Sequence, residues 1–163
     1  MQMMTWVEQL SYSAWVRESN SLWAFPMFLF AHTLGMSIVA GGTAVICMAL
    51  LGVWPKAPLR PLERLYPYMM VGFAVNAFTG ISIFMKDATV YSRNFDLYVK
   101  LLFIAFGMVL LFQIRRRVFR HPDLDKGPLP SGTRALAWAT LFCWLTAVIA
   151  GRLIAYVGPV AGL

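Results

Sequence analysis

Four long apolar stretches, separated by short charged segments, constrain this chain more than any other feature. They cover about residues 22–51, 68–85, 97–114 and 134–157. A bilayer core about 30 Å thick is crossed by about 20 helical residues, and each stretch is near or above that length. In lipid the backbone finds no water, so its hydrogen bonds must close within a helix or around a barrel. Barrel strands alternate apolar and polar positions over about ten residues. These stretches are apolar throughout, which predicts helices. Hydrophobic residues make up 60% of the 163 and charged residues only 13%, about half the charge of soluble domains. That leaves too little charge to cover a water-soluble surface. The expected fold class is all-α: a polytopic membrane protein forming a four-transmembrane-helix bundle, with residues 1–163 as a single membrane domain. A soluble enzyme, a disordered chain and a disulfide-stapled secreted domain are excluded.

Ahead of the first span, Met3, Trp6, Val7, Leu10 and Ala14 recur at three- and four-residue spacing, while Gln9, Ser13, Arg17 and Glu18 lie mostly elsewhere on the wheel. That pattern predicts an amphipathic helix over about residues 3–19 lying in the interface plane, anchored by Trp6 and Trp15. The opening MQMMTWVEQL has no basic region followed by a clean apolar one, so the first span is expected to serve as an uncleaved signal.

The charges orient the bundle. The formal net charge is +7. The first loop carries Lys56, Arg60 and Arg64 against Glu63, and the third carries Arg115, Arg116, Arg117, Arg120 and Lys126 against Asp123 and Asp125. In the second loop Lys86 and Arg93 are balanced by Asp87 and Asp96. Basic loops stay cytoplasmic. Loops one and three are therefore expected inside, with both termini in the periplasm of a bacterial inner membrane. No basic soluble face is present, so nucleic acid is not an expected partner.

Small residues predict how the helices meet. Ala135, Ala139, Cys143, Ala147, Gly151 and Ala155 each follow the last by four residues, a small-xxx-small pattern that suits close helix contact. In the second span Gly72, Asn76, Thr79, Gly80 and Ile83 share a face, and Asn76 near mid-membrane should turn inward to a partner. Asn76 is either interhelical glue or a ligand contact. The two cysteines, Cys47 and Cys143, lie inside apolar spans without a CxxC spacing and are expected to be reduced core thiols.

The candidate site lies at the outer end. His32, Lys100 and Arg152 come from different spans, yet the 1.5 Å rise per helical residue places all three near one membrane level. Lys100 and Arg152 are either interfacial anchors or inward-facing cations for an anionic group. His32 is either hydrogen-bonded to a neighbour such as Asn76, a ligand of haem iron or another metal, or a donor to a quinone carbonyl. The other histidine, His121, falls in a loop at the opposite face, so bis-histidine ligation is not available within one chain. Met85, Lys100 or Tyr156 would have to supply a second iron ligand, and Arg152, Lys100 and Arg93 could pair with propionates. The candidate cofactor-binding residues are thus His32, Arg152, Lys100, Tyr156, Arg93 and Asn76, the candidate metal ligand is His32, and the candidate cofactors are haem b and quinone. The methionines show no tight cluster of the kind Cu(I) would select and read as core packing. No paired carboxylate within a span, nucleophile–base pair, phosphate loop or dinucleotide fingerprint is present, so no independent catalytic activity is expected.

The stretches FPMFLFAHTLGMSIVAGGTAV, GFAVNAFTGISIFMKDATVYSRNFDLYVK and AGRLIAY, taken together, resemble bacterial membrane proteins grouped as the domain of unknown function 6644 family. The resemblance rests on His32 with Leu34 and Gly35, Thr79 with Gly80, Ala88 with Tyr91, Asn94 and Phe95, Lys100, and Gly151 with Arg152, Ile154 and Tyr156. It extends from about Arg17 to Tyr156. It implies a four-helix inner-membrane protein and no established activity. The chain is also loosely similar to copper-resistance D and small cytochrome b bundles, but lacks their histidine pairs. The leading expectation is a membrane subunit or anchor of a periplasmic redox system, alone or in a homo- or hetero-oligomer. The alternatives are a metal-handling or small-solute transport protein and a purely structural partner subunit.

Overall fold

The computed structural model describes residues 2–55, 58–121, 124 and 128–157. It is all-α, with no strand among the described residues. Helices α1 (Gln2–Glu8) and α2 (Ser11–Glu18) precede α3 (Phe25–Leu51). A 3-10 turn at Arg60–Arg64 leads into α4 (Leu65–Lys86), followed by the short α5 (Ala88–Tyr91) and by α6 (Phe95–Ile114). A π-helical turn at Arg115–Phe119 ends α6, and α7 (Thr133–Leu153) closes the order. Four of these helical segments, Phe25–Leu51, Arg60–Lys86, Phe95–Phe119 and Thr133–Leu153, are long and apolar enough to cross a membrane. The predicted spans agree with them to within a few residues, apart from the start of the second.

Local chemistry sets the helix ends. Pro26 sits in the first turn of α3, where its missing N–H costs nothing. Gly52 ends α3 in the left-handed region at φ 88°, and Val53 N–H donates to the Met48 carbonyl at 3.1 Å, which satisfies an otherwise orphaned acceptor. The Asn94 side chain starts α6, accepting from the Asp96 and Leu97 amides, the usual service of an N-cap.

The N-terminal segment is helical but forms two helices rather than one. Leu10 adopts an extended ψ of 138°, and the Ser13 hydroxyl folds back to donate to the Val7 carbonyl at 2.7 Å. The pair then docks on the bundle. Tyr12 Oη donates to Ser82 Oγ at 2.8 Å, Arg17 donates to the Lys86 carbonyl, and Glu8 Oε1 accepts from both the Thr89 amide and its hydroxyl at 2.7 Å. Ser13 and Val16 are fully buried, while Met3, Trp6 and Trp15 remain exposed.

The bundle is made of two antiparallel hairpins. Helix α3 packs along α4, α6 packs along α7, and α3 meets α7. The α3–α4 seam is tight because a Cβ on Gly35 would lie 2.6 Å from the Gly72 carbonyl oxygen. Glycine alone permits that approach, as expected of helices that associate in lipid by close packing. Tyr66, Met69, Leu111, Ile114 and Val118 form a dense apolar core toward the end where α4 begins. Buried polar residues Asn76, Thr79, Ser82 and Asn94 gather toward the other end. Outward-facing Phe30, Leu34, Val71, Phe78, Leu101, Phe106, Phe142 and Leu145 are exposed, a surface suited to lipid chains. Exposed Trp15, Trp23, Tyr98 and Tyr156 mark one end, with Trp54 and Tyr68 at the other, the positions of interfacial aromatic belts.

One packing expectation needs correcting. Ala135 and Ala139 are exposed, as is Ala155. The buried face of α7 is Ala137, Thr140, Cys143, Trp144, Ala147 and Ala150. A four-residue step on a helix of 3.6 residues per turn advances about 40° beyond a full circle. A stripe six members long therefore winds off the interface, and only its middle, Cys143 and Ala147, stays buried. Cys47 and Cys143 are both free and buried.

Candidate functional site

The polar cluster is built where the starts of α3 and α6 meet the ends of α4 and α7. His32 lies two turns into α3, about 10 Å from its start, and Lys100 lies about 8 Å into α6. Asn76 and Thr79 come from α4, one helical turn apart on its buried face.

His32 and Asn76 bind each other twice. The Asn76 side-chain amide donates to the His32 carbonyl at 2.8 Å. The imidazole Nδ1 lies 3.0 Å from the Asn76 carbonyl oxygen and 3.2 Å from Thr79 Oγ1. A carbonyl can only accept, and the Thr79 hydroxyl already donates to the Val75 carbonyl at 2.7 Å. Nδ1 must therefore carry the proton. The other ring nitrogen, Nε2, lies 3.2 Å from Lys100 Nζ. With the proton assigned to Nδ1 by this network, Nε2 presents a lone pair and the lysine donates.

Two glycines make room for these side chains. A Cβ on Gly80 would stand 3.0 Å from His32 Cε1. A Cβ on Gly151 would touch Lys100 Cδ, Cε and Nζ at 3.4 Å. The Nδ1–Cε1 edge of the imidazole thus lies against α4, and the lysine stem lies over α7. The hairpins meet chiefly through α3 and α7, and the long lysine side chain adds a polar link from α6 to α3. At the opposite end Tyr66 Oη bridges them by donating to the Leu111 carbonyl at 3.1 Å.

Of the residues expected at the site, His32, Asn76 and Lys100 come together. Arg152, Tyr156 and Arg93 are exposed and lie outside this hydrogen-bonded cluster. Arg152 directly follows Gly151, so it sits at the rim beside the lysine stem. Thr79, Gly80 and Gly151 belong to the cluster in roles that sequence reasoning did not assign. The signal for them was spacing: Thr79 and Gly80 sit three and four residues beyond Asn76, on the same helix face.

Around the rim, Lys86 pairs with Asp87 and lies over the Phe25 ring, 4.7 Å from its centroid. Burial pushes the Tyr91 phenol above its ordinary value, and the neighbouring Asp87 adds to the shift. Among the described residues no group of three or more His, Cys, Asp or Glu is arranged to hold a metal ion.

No family model matches the chain, and no curated protein or solved structure is significantly similar to it.

Proposed function

We propose that this chain is a membrane-embedded subunit or anchor of a periplasmic redox system, with a polar site at its outer end that contacts a cofactor. One observation carries the reading. A lysine within a membrane-spanning helix ends on an imidazole, 3.2 Å away, with no carboxylate paired to it among the described residues. A cation at membrane depth is costly, by about 2.5–3.5 kcal/mol at mid-bilayer on the insertion scale. An apolar residue would pack there without that cost. A cation kept there without an acid fits a site awaiting an electron-rich group. Basic loops one and three support the inner-membrane placement with both termini periplasmic.

A second reading has its own support. The reciprocal His32–Asn76 bonds clasp α3 to α4 without any ligand, which suits a purely structural partner subunit. The two readings part on purification. Full-length chain extracted in mild detergent should carry along a redox protein and a haem or quinone, detected by absorption spectrum and solvent extraction. Lys100→Met should lose the cofactor while keeping the partner. Preparations that retain a partner but never a cofactor would leave the structural reading in place.

A further inference from the structure

The clasp between α3 and α4 is complete without Lys100. His32 Nδ1 and Asn76 satisfy one another and Thr79 completes the set. Lys100 adds one bond, into the Nε2 lone pair. An ammonium has three N–H groups and no acceptor, so two remain to be used. No other hydrogen bond or ion pair to Lys100 exists among the described residues. The nearby acids are engaged elsewhere: Asp87 with Lys86, and Glu8 with Thr89.

We infer that Lys100 is the contact residue of a binding site for an acceptor oxygen on an apolar, bilayer-resident body, a quinone-type carbonyl, and that His32 is the positioning residue that holds the ammonium. This rests on the cofactor-site reading above and names its ligand class. Two constraints select the ligand. First, iron needs the Nε2 lone pair, and Lys100 already occupies it; haem ligation would break that bond and leave an ammonium beside the metal. Secondly, the remaining groups are donors only, so the ligand must accept. A phosphate headgroup would accept as well, but it belongs at the membrane surface, level with the start of α6. Lys100 lies more than a turn below the start of α6, at a depth open to a quinone head.

The test uses the full chain in phosphatidylcholine nanodiscs, titrated with a short-chain benzoquinone labelled with 13C at one carbonyl. The carbonyl stretch is read by infrared difference spectroscopy. The expected result is saturation at one equivalent with a down-shifted carbonyl band. Lys100→Met should weaken binding at least tenfold, and Lys100→Arg should keep it within about threefold. His32→Gln, which retains an acceptor for the ammonium, should bind better than His32→Leu. Equal binding by wild type and Lys100→Met overturns the proposal. So does a Soret band on adding haemin that is lost in His32→Gln but kept in Lys100→Met; that outcome leaves the redox-subunit reading standing with haem as the cofactor. If phosphatidylglycerol nanodiscs abolish quinone binding and show a 31P perturbation that Lys100→Met removes, the occupant is a lipid phosphate and the quinone assignment falls. No binding of any of the three by well-folded wild type overturns the cofactor site itself.

Discussion

Replacing Gly35 by alanine tests the architecture beneath the site. The new Cβ would stand 2.6 Å from the Gly72 carbonyl oxygen, 3.0 Å from the Asn76 amide nitrogen and 3.1 Å from the Asn76 Cβ. Two of these atoms are backbone and the third is fixed to it, so no side chain can swing away. Restoring the 3.4 Å of ordinary contact moves α4 out by about 0.8 Å. That displacement would stretch the His32–Asn76 bonds from 3.0 and 2.8 Å to about 3.8 and 3.6 Å, beyond useful hydrogen-bond length. Overpacking costs about 1–3 kcal/mol, and hydrogen bonds between membrane helices contribute about 0.6 kcal/mol each. Alanine returns about 1 kcal/mol through helix propensity. The net loss should be about 1–3 kcal/mol. Gly41 provides the control, since a Cβ there meets nothing within 4 Å. Gly41→Ala should be neutral or stabilising by up to about 1 kcal/mol. Reversible unfolding in mixed micelles with increasing dodecyl sulfate, followed by near-ultraviolet circular dichroism, gives both values. Two variants of equal stability, within about 0.5 kcal/mol, would refute glycine-limited packing of α3 on α4.

Three further outcomes follow from named contacts. Gly80→Ala should press on His32 Cε1, where its Cβ would lie at 3.0 Å, and shift the imidazole 15N resonances while helix content stays constant; unchanged resonances would mean the ring is not held by α4. Glu8→Ala removes the acceptor of two 2.7 Å bonds from Thr89, and should cost about 1.5–3 kcal/mol of local docking stability, as for hydrogen bonds to charged groups. Hydrogen exchange at the Thr89 amide should accelerate accordingly, without global unfolding. Tyr91, whose phenol is raised by burial and by Asp87, should titrate later than an ordinary tyrosine. Below about pH 10 both folded and unfolded forms are neutral; above it the unfolded chain ionises first. Stability around α5 should therefore fall as pH rises beyond that point. Tyr91→Phe should reduce the late part of the 295 nm titration by one phenol and soften the loss.

The membrane class was written in the amino acids because it depends on summed hydrophobicity. An uninterrupted apolar run such as Leu97 to Ile114 reads as a helix in lipid, since a barrel strand would alternate apolar and polar positions. The inward turn of Asn76 was equally legible, because a lone amide among apolar residues has few places to go. What a helical wheel cannot carry is the azimuth of one helix against another. His32, Lys100 and Arg152 share a depth, and depth follows from counting residues. Only packing decided that Lys100 reaches the imidazole while Arg152, one residue past Gly151, turns outward. The same applies to the alanine stripe of α7, whose four-residue step drifts about 40° per repeat and leaves the seam. One-dimensional rules, set by solvent, thus determine which segments cross and how deep each residue lies. The rotation of each rod, set by where glycine lets two backbones meet, determines which of those residues touch.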